Sequence, residues 1–366
     1  MIKLAKPYLP EECINNVIEV IQSGNLIQGK FVNLLEEKIK EYLNVKYAFL
    51  VSSGTAALHI GLIALGIKEN DEVIVPAFTF PATANVVELL GAKSILVDIK
   101  IDDCCIDVSK IESAITNKTK AILPVHEFGQ PADIKPIINL AKKYKLNVIE
   151  DAACALGSEY DFQKVGTFGD IGCFSLHPRK AITSGEGGII VTNDDNLALE
   201  IKMLRNHGIC IKDTYIDFMR AGFNYRLTDI QAALCLPQFN ELDKIIQNRI
   251  KTAKKYDELL GNNSHFILPK NFENRKMVYQ SYHIILNENI NRDEIIKLLK
   301  DNQIETNYGA YALNNLSYYS NKYGYLPYDY PFATKAFKQG LVLPIGMHLK
   351  DENIEKIVSL LNKVIK

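Results

Sequence analysis

Glu72-Val73-Ile74-Val75 is an apolar run that is followed by helical spacing at 81–90 and by a second apolar run, Ser94-Ile95-Leu96-Val97. A strand, a helix and a second strand in this order are typical of a βαβ unit, in which the two strands lie parallel. This stretch predicts an α/β protein.

The same alternation continues along most of the chain. Further apolar runs occur at 121–125, 147–150, 172–175 and 188–191, and helical segments separate most of them. The spacing suits crossover connections and not hairpins, so the sheet is predicted to be largely parallel. Before it, Pro10 starts a predicted helix that ends at Gly24, and a second helix is predicted at 30–43.

The second half of the chain changes character. One long helix is predicted at 228–254, with a kink at Pro237. We interpret this helix as the bridge between a large domain at 1–245 and a smaller C-terminal domain at 246–366. The smaller domain has a β-like run at 282–286, a helix at 292–299 and a terminal helix after Asp351.

Composition excludes several classes of protein. The 366 residues include 42 Lys+Arg and 43 Asp+Glu, and 47% are hydrophobic, so nothing indicates a nucleic-acid-binding surface or a disordered chain. No apolar run approaches the roughly 18–20 residues that span a bilayer, and the N-terminus lacks an export signal. The 7 cysteines form no CxxC pair, so no metal site is expected. These features predict a cytoplasmic globular enzyme with no membrane partner.

A first candidate motif is Ser52-Ser53-Gly54-Thr55-Ala56-Ala57-Leu58, which follows an apolar run at 48–51. Small hydroxyl residues and a glycine that lead into an apolar helix expose backbone N–H groups, and such a helix N-terminus suits a phosphate. An ordinary Ser/Thr N-cap uses the same geometry. This motif alone therefore leaves both interpretations open.

A second candidate is Asp151, which ends the run at 147–150 and precedes Ala152-Ala153. A carboxylate at the carboxyl end of a parallel strand points into the crevice where α/β proteins bind ligands. The small residues after it leave room for a flat ring. A strand-end aspartate that caps the next turn is the alternative.

A third candidate is Lys180 in Ser175-Leu176-His177-Pro178-Arg179-Lys180, followed by Gly185-Glu186-Gly187-Gly188. A nucleophilic lysine must be desolvated or near other cations so that its neutral amine is populated, and His177 and Arg179 are possible neighbours. A solvated loop lysine is the alternative.

The last candidate motif is Gly222-Phe223-Asn224-Tyr225-Arg226-Leu227, ahead of the long helix. Its Asn224 and Arg226 are predicted to face a phosphate or a partner chain.

The combination is more specific than its parts. A phosphate cradle, a carboxylate and a lysine in one α/β chain are what pyridoxal 5′-phosphate (PLP) requires. Its phosphate needs donors, its ring nitrogen needs an anion, and its aldehyde needs an amine. These motifs predict a PLP enzyme.

At this point the chain resembles the DegT/DnrJ/StrS family of PLP-dependent nucleotide-sugar aminotransferases, of the aspartate aminotransferase fold (fold type I). The resemblance covers nearly the whole chain. It implies a large domain with a mostly parallel seven-stranded sheet flanked by helices, and a smaller C-terminal α+β domain. The residues that carry it are Gly24-Asn25, Ser53–Ala57, Val75–Asn85, Glu150–Ala153, Ser175–Lys180, Gly185–Gly188, Arg205–Gly208, Asn224–Arg226 and Asp229–Ala233.

The resemblance also assigns roles. It implies that Lys180 and Asp151 are catalytic, that Phe80 stacks on the cofactor ring, and that Asn224 reaches the neighbouring subunit's site in a homodimer with composite active sites. Cys154 departs from the family, since many members place His or Gln there, near the 3′-oxygen of the cofactor. The implied cofactor-binding residues are Ser53, Gly54, Thr55, Phe80, Asp151, Cys154, Ser175, His177, Lys180 and Asn224.

The implied reaction moves an amino group from L-glutamate to a keto group, at carbon 4, of a nucleotide-linked keto-deoxysugar, in aminosugar and surface-glycan biosynthesis. Arg179, Arg205 and Arg220 are candidates to meet the diphosphate. Retention of Lys180 favours transamination, because related dehydratases replace it with His.

Three alternatives remain. The first is a PLP enzyme of the same fold that acts on a non-nucleotide ketone, such as an aminocyclitol precursor or a small phosphorylated ketone. The second is a PLP-dependent sugar dehydratase, and the third is a binding protein that keeps the fold without turnover.

Overall fold

A central seven-stranded sheet organises the computed structural model, which describes residues 1–212, 215–261 and 264–364. The α-helices are α1 (Glu12–Ser23), α2 (Lys30–Leu43), α3 (Gly54–Ala64), α4 (Ala82–Leu89), α5 (Val108–Ile111), α6 (Ile134–Tyr144), α7 (Asp195–Leu204), α8 (Asp229–Asn240), α9 (Leu242–Leu260), α10 (Arg292–Asp301), α11 (Ser317–Tyr323), α12 (Pro331–Gln339) and α13 (Asp351–Val364). The strands are β1 (Tyr47–Val51), β2 (Glu72–Pro76), β3 (Phe78–Thr79), β4 (Lys93–Val97), β5 (Thr119–Ile122), β6 (Asn147–Asp151), β7 (Glu159–Tyr160), β8 (Gln163–Lys164), β9 (Ile171–Ser175), β10 (Gly188–Thr192), β11 (Ile209–Lys212), β12 (Tyr215–Phe218), β13 (Phe266–Ile267), β14 (Arg275–Lys276), β15 (Tyr282–Leu286), β16 (Tyr311–Ala312) and β17 (Gly340–Leu343).

The sheet has the order β1-β10-β9-β6-β5-β2-β4. Its strands run parallel except for β10, which is antiparallel to both neighbours. The predicted α/β fold with a mostly parallel seven-stranded sheet is confirmed. The expectation of crossovers throughout is wrong at β9 and β10, where Ser175 pairs with Gly188 in an antiparallel register. The connection at 176–187 holds no helix, so the chain reverses there and enters β10 from the same edge of the sheet.

Helices cover both faces of this sheet. Successive residues of a buried strand point to opposite faces, so Val73 and Val75 pack in one apolar cluster and Ile74 in the other. On the first face α3 lies very close to the strands, since a Cβ at Gly61 would come within 2.7 Å of Ile149 Cδ1. The other face is covered by α1, α2 and α8, which pack together.

Both predicted N-terminal helices are present, although α1 begins at Glu12, two residues after Pro10. α1 ends at Gly24, whose φ of 72° lies in the left-handed region that favours glycine. α2 spans the predicted residues, but its N-terminus is capped from far along the chain. Asp229 accepts hydrogen bonds from the backbone N–H groups of Gly29 (3.1 Å) and Val32 (2.8 Å).

The predicted single long helix is wrong, because the structure has two helices there. α8 and α9 are separated at Glu241, whose backbone (φ −102°, ψ 8°) leaves helical geometry. Pro237 lies within α8 and not at the break. The predicted domain boundary between residues 245 and 246 falls inside α9 and stays a prediction.

The C-terminal part is an α+β unit. Its three-stranded sheet has the order β13-β15-β17, and α9, α10 and α13 pack together beside it. Its apolar core is continuous with one face of the large sheet, because Tyr256 and Leu343 belong to the same buried cluster as Phe78. None of the helices in the described ranges has the length and apolar character needed to cross a bilayer.

Candidate active site

A cleft of about 490 Å³ opens at the carboxyl edge of the central sheet. This volume is within the range of small-molecule sites in proteins. The C-terminal unit supplies its other wall through residues such as Gln280, Ser281 and Asn307. The sequence-predicted residues that line it are Ser53, Gly54, Thr55, Phe80, Asp151, Cys154, Ser175, His177 and Lys180.

One end of the cleft is the N-terminus of α3. Ser53 has an extended backbone (φ −166°) and its side chain caps the helix by accepting from the N–H of Ala56 at 3.0 Å. The N–H groups of Gly54 and Thr55 come earlier in the helix, where no intrahelical acceptor exists. A Cβ at Gly54 would stand 3.0 Å from the Ser175 Cβ. The motif is therefore both an N-cap and a helix N-terminus that is open to an anion.

Asp151 lies deeper, at the end of β6. It is 4% exposed, and its Oδ2 accepts from Thr83 Oγ1 at 2.8 Å while its Oδ1 accepts from the N–H of Ala153 at 3.1 Å. Burial raises the pKa of this carboxyl, and the hydrogen bonds from Thr83 and Ala153 oppose that effect. The two donors leave part of the carboxylate's capacity for a further partner in the cleft.

Lys180 lies in the segment that reverses the chain between β9 and β10. Its Nζ donates to Cys154 Sγ at 3.0 Å, and Arg249 Nη2 approaches its carbonyl oxygen at 3.4 Å. The expectation that cations lower the pKa of this amine is not met. Burial acts to lower it, but Cys154, Asp151 and Glu127 favour the ammonium form and raise the pKa. The neighbours of the amine are acidic groups, not His177 or Arg179.

The remaining predicted residues occupy the walls and the rim of the cleft. Phe80 is 64% exposed, and its ring centroid is 6.3 Å from that of Tyr311. Ser175 ends β9, and its Oγ accepts from the N–H of His177 at 3.3 Å. Cys154 lies beside Lys180, and burial raises the pKa of its thiol against the opposing charge of Lys180.

Asn224 is the predicted site residue that this cleft does not contain. It is exposed and forms an isolated β-bridge with Asn206. Its predicted role in a neighbouring subunit's site stays a prediction. Arg226 contacts the side chain of Asn206.

Of the three arginines that were candidates to meet a diphosphate, one lies in the cleft and two lie outside it. Arg179 lines the cleft. Arg205 is buried, pairs with Glu36 and lies over the ring of Phe49 at 4.9 Å, while Arg220 pairs with Glu200. Arg205 and Arg220 therefore hold the fold together outside the cleft.

Sequence reasoning missed several residues that the structure brings into the cleft. Thr83 lies within the quoted motif around Phe80, but no pattern showed that its hydroxyl would meet Asp151. Glu127 had no signal, because it sits in an irregular turn after β5. Gln280 and Asn307 come from the C-terminal unit, so only tertiary folding brings them to this edge.

Residues 7–362 match the DegT/DnrJ/EryC1/StrS aminotransferase family. The chain belongs to that family. It is 38% identical to a GDP-perosamine synthase of Escherichia coli O157:H7, over 92% of this chain and 90% of that protein. It is 33% identical to a UDP-4-amino-4-deoxy-L-arabinose–oxoglutarate aminotransferase of Shewanella sediminis, over 99% of this chain and 97% of the relative.

Solved structures agree. The PLP form of Spr1654 from Streptococcus pneumoniae superposes with a TM-score of 0.93 at 27% identity, covering 99% of this chain and 98% of that one. The protein is a PLP-dependent aminotransferase of the sugar aminotransferase type.

The residues of the cleft fit PLP. The open helix N-terminus at Gly54 and Thr55 suits a phosphate, and the buried Asp151 has unused acceptor capacity. Lys180, whose Nζ donates to Cys154, supplies an amine in the lining of the same cleft. Anion donors, a buried carboxylate and an amine are the three groups that this cofactor needs.

Proposed function

We propose that the protein transfers the amino group of L-glutamate to the keto group at carbon 4 of a nucleotide-linked keto-deoxysugar, in the biosynthesis of aminosugars for surface glycans. The observation that carries this proposal is the set of residues that line the cleft. The cleft has a volume of about 490 Å³, and it brings the PLP-type residues together with Gln280, Ser281 and Asn307 of the C-terminal unit.

The names of the relatives support the details. The Shewanella protein is named for an amine at carbon 4 of a UDP-linked sugar and for oxoglutarate, the keto acid that corresponds to glutamate. The Escherichia coli relative is named for a GDP-linked aminosugar.

In the proposed reaction, three side chains of the cleft have different roles. When bound, PLP supplies an aldehyde that takes up the amino group and a ring that withdraws electrons from the substrate carbon. Asp151 would hold a proton on the ring nitrogen, because a buried anion favours a cation beside it. Lys180 Nζ would remove the proton from the amino-bearing carbon of L-glutamate and, in the second half of the reaction, deliver a proton to the sugar carbon that receives the amine. Arg179 at the cleft wall is the candidate cation for a diphosphate.

The amino donor is tested first. The PLP-loaded protein is mixed with L-glutamate, and the visible absorption of the cofactor and the release of 2-oxoglutarate are followed. A spectral change with stoichiometric 2-oxoglutarate supports the proposal. Lys180→Ala is expected to show neither, whereas Lys142→Ala, an exposed lysine on α6, serves as the matched control. No change in the control or the unmodified protein with L-glutamate would reject glutamate as the donor.

The acceptor is tested with glutamate in excess. GDP- and UDP-linked 4-keto-6-deoxysugars are compared with their 3-keto isomers and with ketones that carry no nucleotide, and aminated products are identified by mass spectrometry. Amination of a 4-keto nucleotide sugar supports the proposal. Turnover of only the free ketones, or loss of water from the sugar without 2-oxoglutarate formation, would replace it with one of the alternative reactions.

We also propose that the active form is a homodimer with composite sites. The hairpin formed by β11 and β12 carries large apolar side chains that are exposed in the single chain, with Ile211 74% and Phe218 62% exposed. Exposed apolar patches of this kind mark interaction surfaces. Asn224 follows this hairpin along the chain, as expected for a residue that serves a neighbouring site.

Hybrid dimers test this arrangement. Lys180→Ala and Asn224→Ala proteins are each prepared separately, and their mass in solution is measured by light scattering. If each site takes Lys180 from one subunit and Asn224 from the other, mixing the two inactive variants restores up to about one active site in each hybrid. Monomeric protein, or no recovery on mixing when subunits have exchanged, would reject composite sites.

A further inference from the structure

Arg249 is a buried cation in α9 whose hydrogen-bond partners are not acids. It is 4% exposed, and within the described residues it forms no ion pair with a carboxylate. Burial lowers the pKa of its guanidinium to about 10, and the group that opposes this effect is Cys154. A buried charge is costly unless well-placed hydrogen bonds compensate for it. The groups that bind this guanidinium therefore indicate what the fold gains by placing it here.

The guanidinium donates to carbonyl oxygens from two distant segments of the chain. Its Nη1 donates to Tyr279 at 3.2 Å and to Gln280 at 2.9 Å, and its Nη2 donates to Lys180 at 3.4 Å. Gln280 belongs to the C-terminal unit and lines the cleft, whereas Lys180 lies between β9 and β10 of the central sheet. A guanidinium has five N–H donors in fixed directions, so one side chain can bridge two segments. Arg249 therefore connects the Lys180 segment with the opposite wall of the cleft.

The backbone of Tyr279 has an uncommon conformation at the point where it meets Arg249. Its φ of 50° lies in the left-handed region, which is rare for a bulky residue. Its side chain is anchored, since its hydroxyl donates to Asn271 Oδ1 at 2.8 Å and its ring lies 6.3 Å from that of Tyr282. Strained backbone of this kind persists only where the surrounding contacts hold it. The bond from Arg249 to the Tyr279 carbonyl oxygen is one of those contacts.

A second hydrogen bond joins the same two segments. Gln280 Nε2 donates to the carbonyl oxygen of Arg179 at 3.1 Å. The two segments are also fixed internally, because the N–H of Gln280 donates to the Phe128 carbonyl oxygen at 2.9 Å and the N–H of Lys180 donates to that of His177 at 2.8 Å. The consecutive carbonyl groups of residues 179 and 180 are therefore both held from outside their own segment.

We infer that Arg249 is a positioning residue that fixes the Lys180 segment relative to the wall of the cleft at 279–281. The inference rests on the proposed role of Lys180 as the group that transfers the proton. In the described chain Arg249 is not among the residues that line the cleft, so it acts through Lys180 and Gln280 and not on a substrate. Proton transfer requires the two atoms to be within hydrogen-bond reach, and a displacement of about 1 Å can lower the rate a hundredfold. A bridge between the amine segment and the wall prevents such a displacement.

Hydrogen–deuterium exchange tests the bridge without relying on turnover. Arg249→Met keeps an unbranched side chain but removes every donor. In the PLP-loaded protein we expect the backbone amides at 177–184 and at 279–281 to exchange faster together, by roughly tenfold or more. Arg292→Met is the matched control, because Arg292 also donates to a carbonyl oxygen, that of Phe337, but bonds to neither segment. Faster exchange that is confined to α9, with 177–184 unmoved, would overturn the inference.

Steady-state kinetics test whether the bridge matters for the reaction. In Arg249→Met, kcat per bound PLP should fall roughly a hundredfold while KM for L-glutamate stays within about threefold, because every residue that lines the cleft is retained. Arg292→Met should keep both values. An unchanged kcat, or a rise in KM alone, would overturn the inference. Failure of the proposed function would look different, since the unmodified protein would then not turn over L-glutamate, and the exchange experiment would still decide whether the bridge exists.

Arg249→Lys tests the geometry of the bridge and does not depend on Arg249→Met folding correctly. The ammonium group keeps the charge but lacks the planar fork of donors that reaches both segments. We expect at least one of the two segments to exchange faster than in the unmodified protein, and kcat per bound PLP to fall roughly tenfold. Full protection of both segments together with an unchanged kcat would overturn the inference, because the charge alone would then be sufficient.

Discussion

Glu150 and Asp151 are neighbours on β6, yet they point to opposite faces of the sheet and meet opposite environments. Glu150 is 0% exposed, and His126 Nε2 lies 2.9 Å from its Oε2. His126 Nδ1 accepts from the N–H of Ala132 at 3.0 Å, so the ring donates to Glu150 through Nε2. Three backbone N–H groups complete the shell of Glu150, those of Gly166, Phe168 and Gly169.

Asp151 has only two donors and faces the cleft. The difference teaches how to separate structural from functional acids in this fold. Glu150 accepts hydrogen bonds from four protein donors, so its carboxylate holds the turn at 166–169 against the sheet and has no contact with the cleft. The shell of Asp151 is open on the cleft side, so its charge is available to a ligand.

The largest expected effect is the loss of amino transfer when Lys180, the amine in the cleft that Asp151 faces, is removed. Lys180→Ala should lower the rate of amino transfer at least roughly 10⁴-fold, since a nucleophile and a proton-transfer group disappear together. Its free energy of unfolding should change by less than about 1 kcal/mol. Steady-state kinetics and denaturant unfolding measure both. Turnover above a hundredth of the Lys142→Ala control would contradict the assignment.

The second-largest expected effect is a pH-dependent change in the free energy of unfolding, caused by Glu127 in the cleft that Asp151 faces. Between the unfolded pKa near 4.5 and the folded value of about 8, Glu127 is protonated in the folded chain and ionised in the unfolded chain. Unfolding then releases a proton, so stability falls as pH rises through this window. The free energy of unfolding of Glu127→Gln relative to the unmodified protein should rise by about 5 kcal/mol between pH 4 and pH 9.

Urea unfolding at a series of pH values measures that difference. If the free energy of unfolding changes with pH in the same way in Glu127→Gln and in the unmodified protein, Glu127 has the same proton affinity in the folded and the unfolded chain, and the prediction is wrong.

Asp151→Asn should affect chemistry and not folding. The amide cannot hold a proton on the cofactor ring as an anion does, so kcat should fall by about 10²–10³-fold. The free energy of unfolding should stay within about 1 kcal/mol or increase, because a buried charge is removed. Paired measurements of kcat and of the urea midpoint check this. A variant that loses stability but keeps its kcat would reverse the roles of the two faces.

Glu150→Gln should affect folding and not chemistry, in contrast to Asp151→Asn. Its expected effect is the smallest among the four substitutions. An amide offers one acceptor oxygen to a shell of four donors, so unfolding should become easier by about 2–3 kcal/mol. The kcat of the folded fraction should remain within about threefold, because Glu150 does not line the cleft. Denaturant unfolding and active-site-normalised kinetics measure the two quantities. A loss of kcat with unchanged stability would show that the closed cluster also serves the reaction.

The local patterns of the sequence predicted much of this molecule. The helices at 12–23 and 30–43 follow from proline, glycine and helical spacing, and β15 and the core strands follow from apolar runs. The motifs around Gly54, Asp151 and Lys180 pointed to PLP because three different chemical needs were met in one chain. Such features depend on residues that are near one another in the sequence, so they can be read without a structure.

Other features were decided only by tertiary structure. Glu241 interrupts the predicted long helix, and β10 runs antiparallel after the Lys180 segment. Asp229 caps a helix that begins at residue 30. Arg205 forms an ion pair with Glu36 and not with a ligand in the cleft. The hydrogen bonds from Thr79 through Thr83 to Asp151 join residues from separate segments of the chain. The physical reason is common to all of them, since a hydrogen bond depends on distance and burial in the folded chain, which no local spacing encodes.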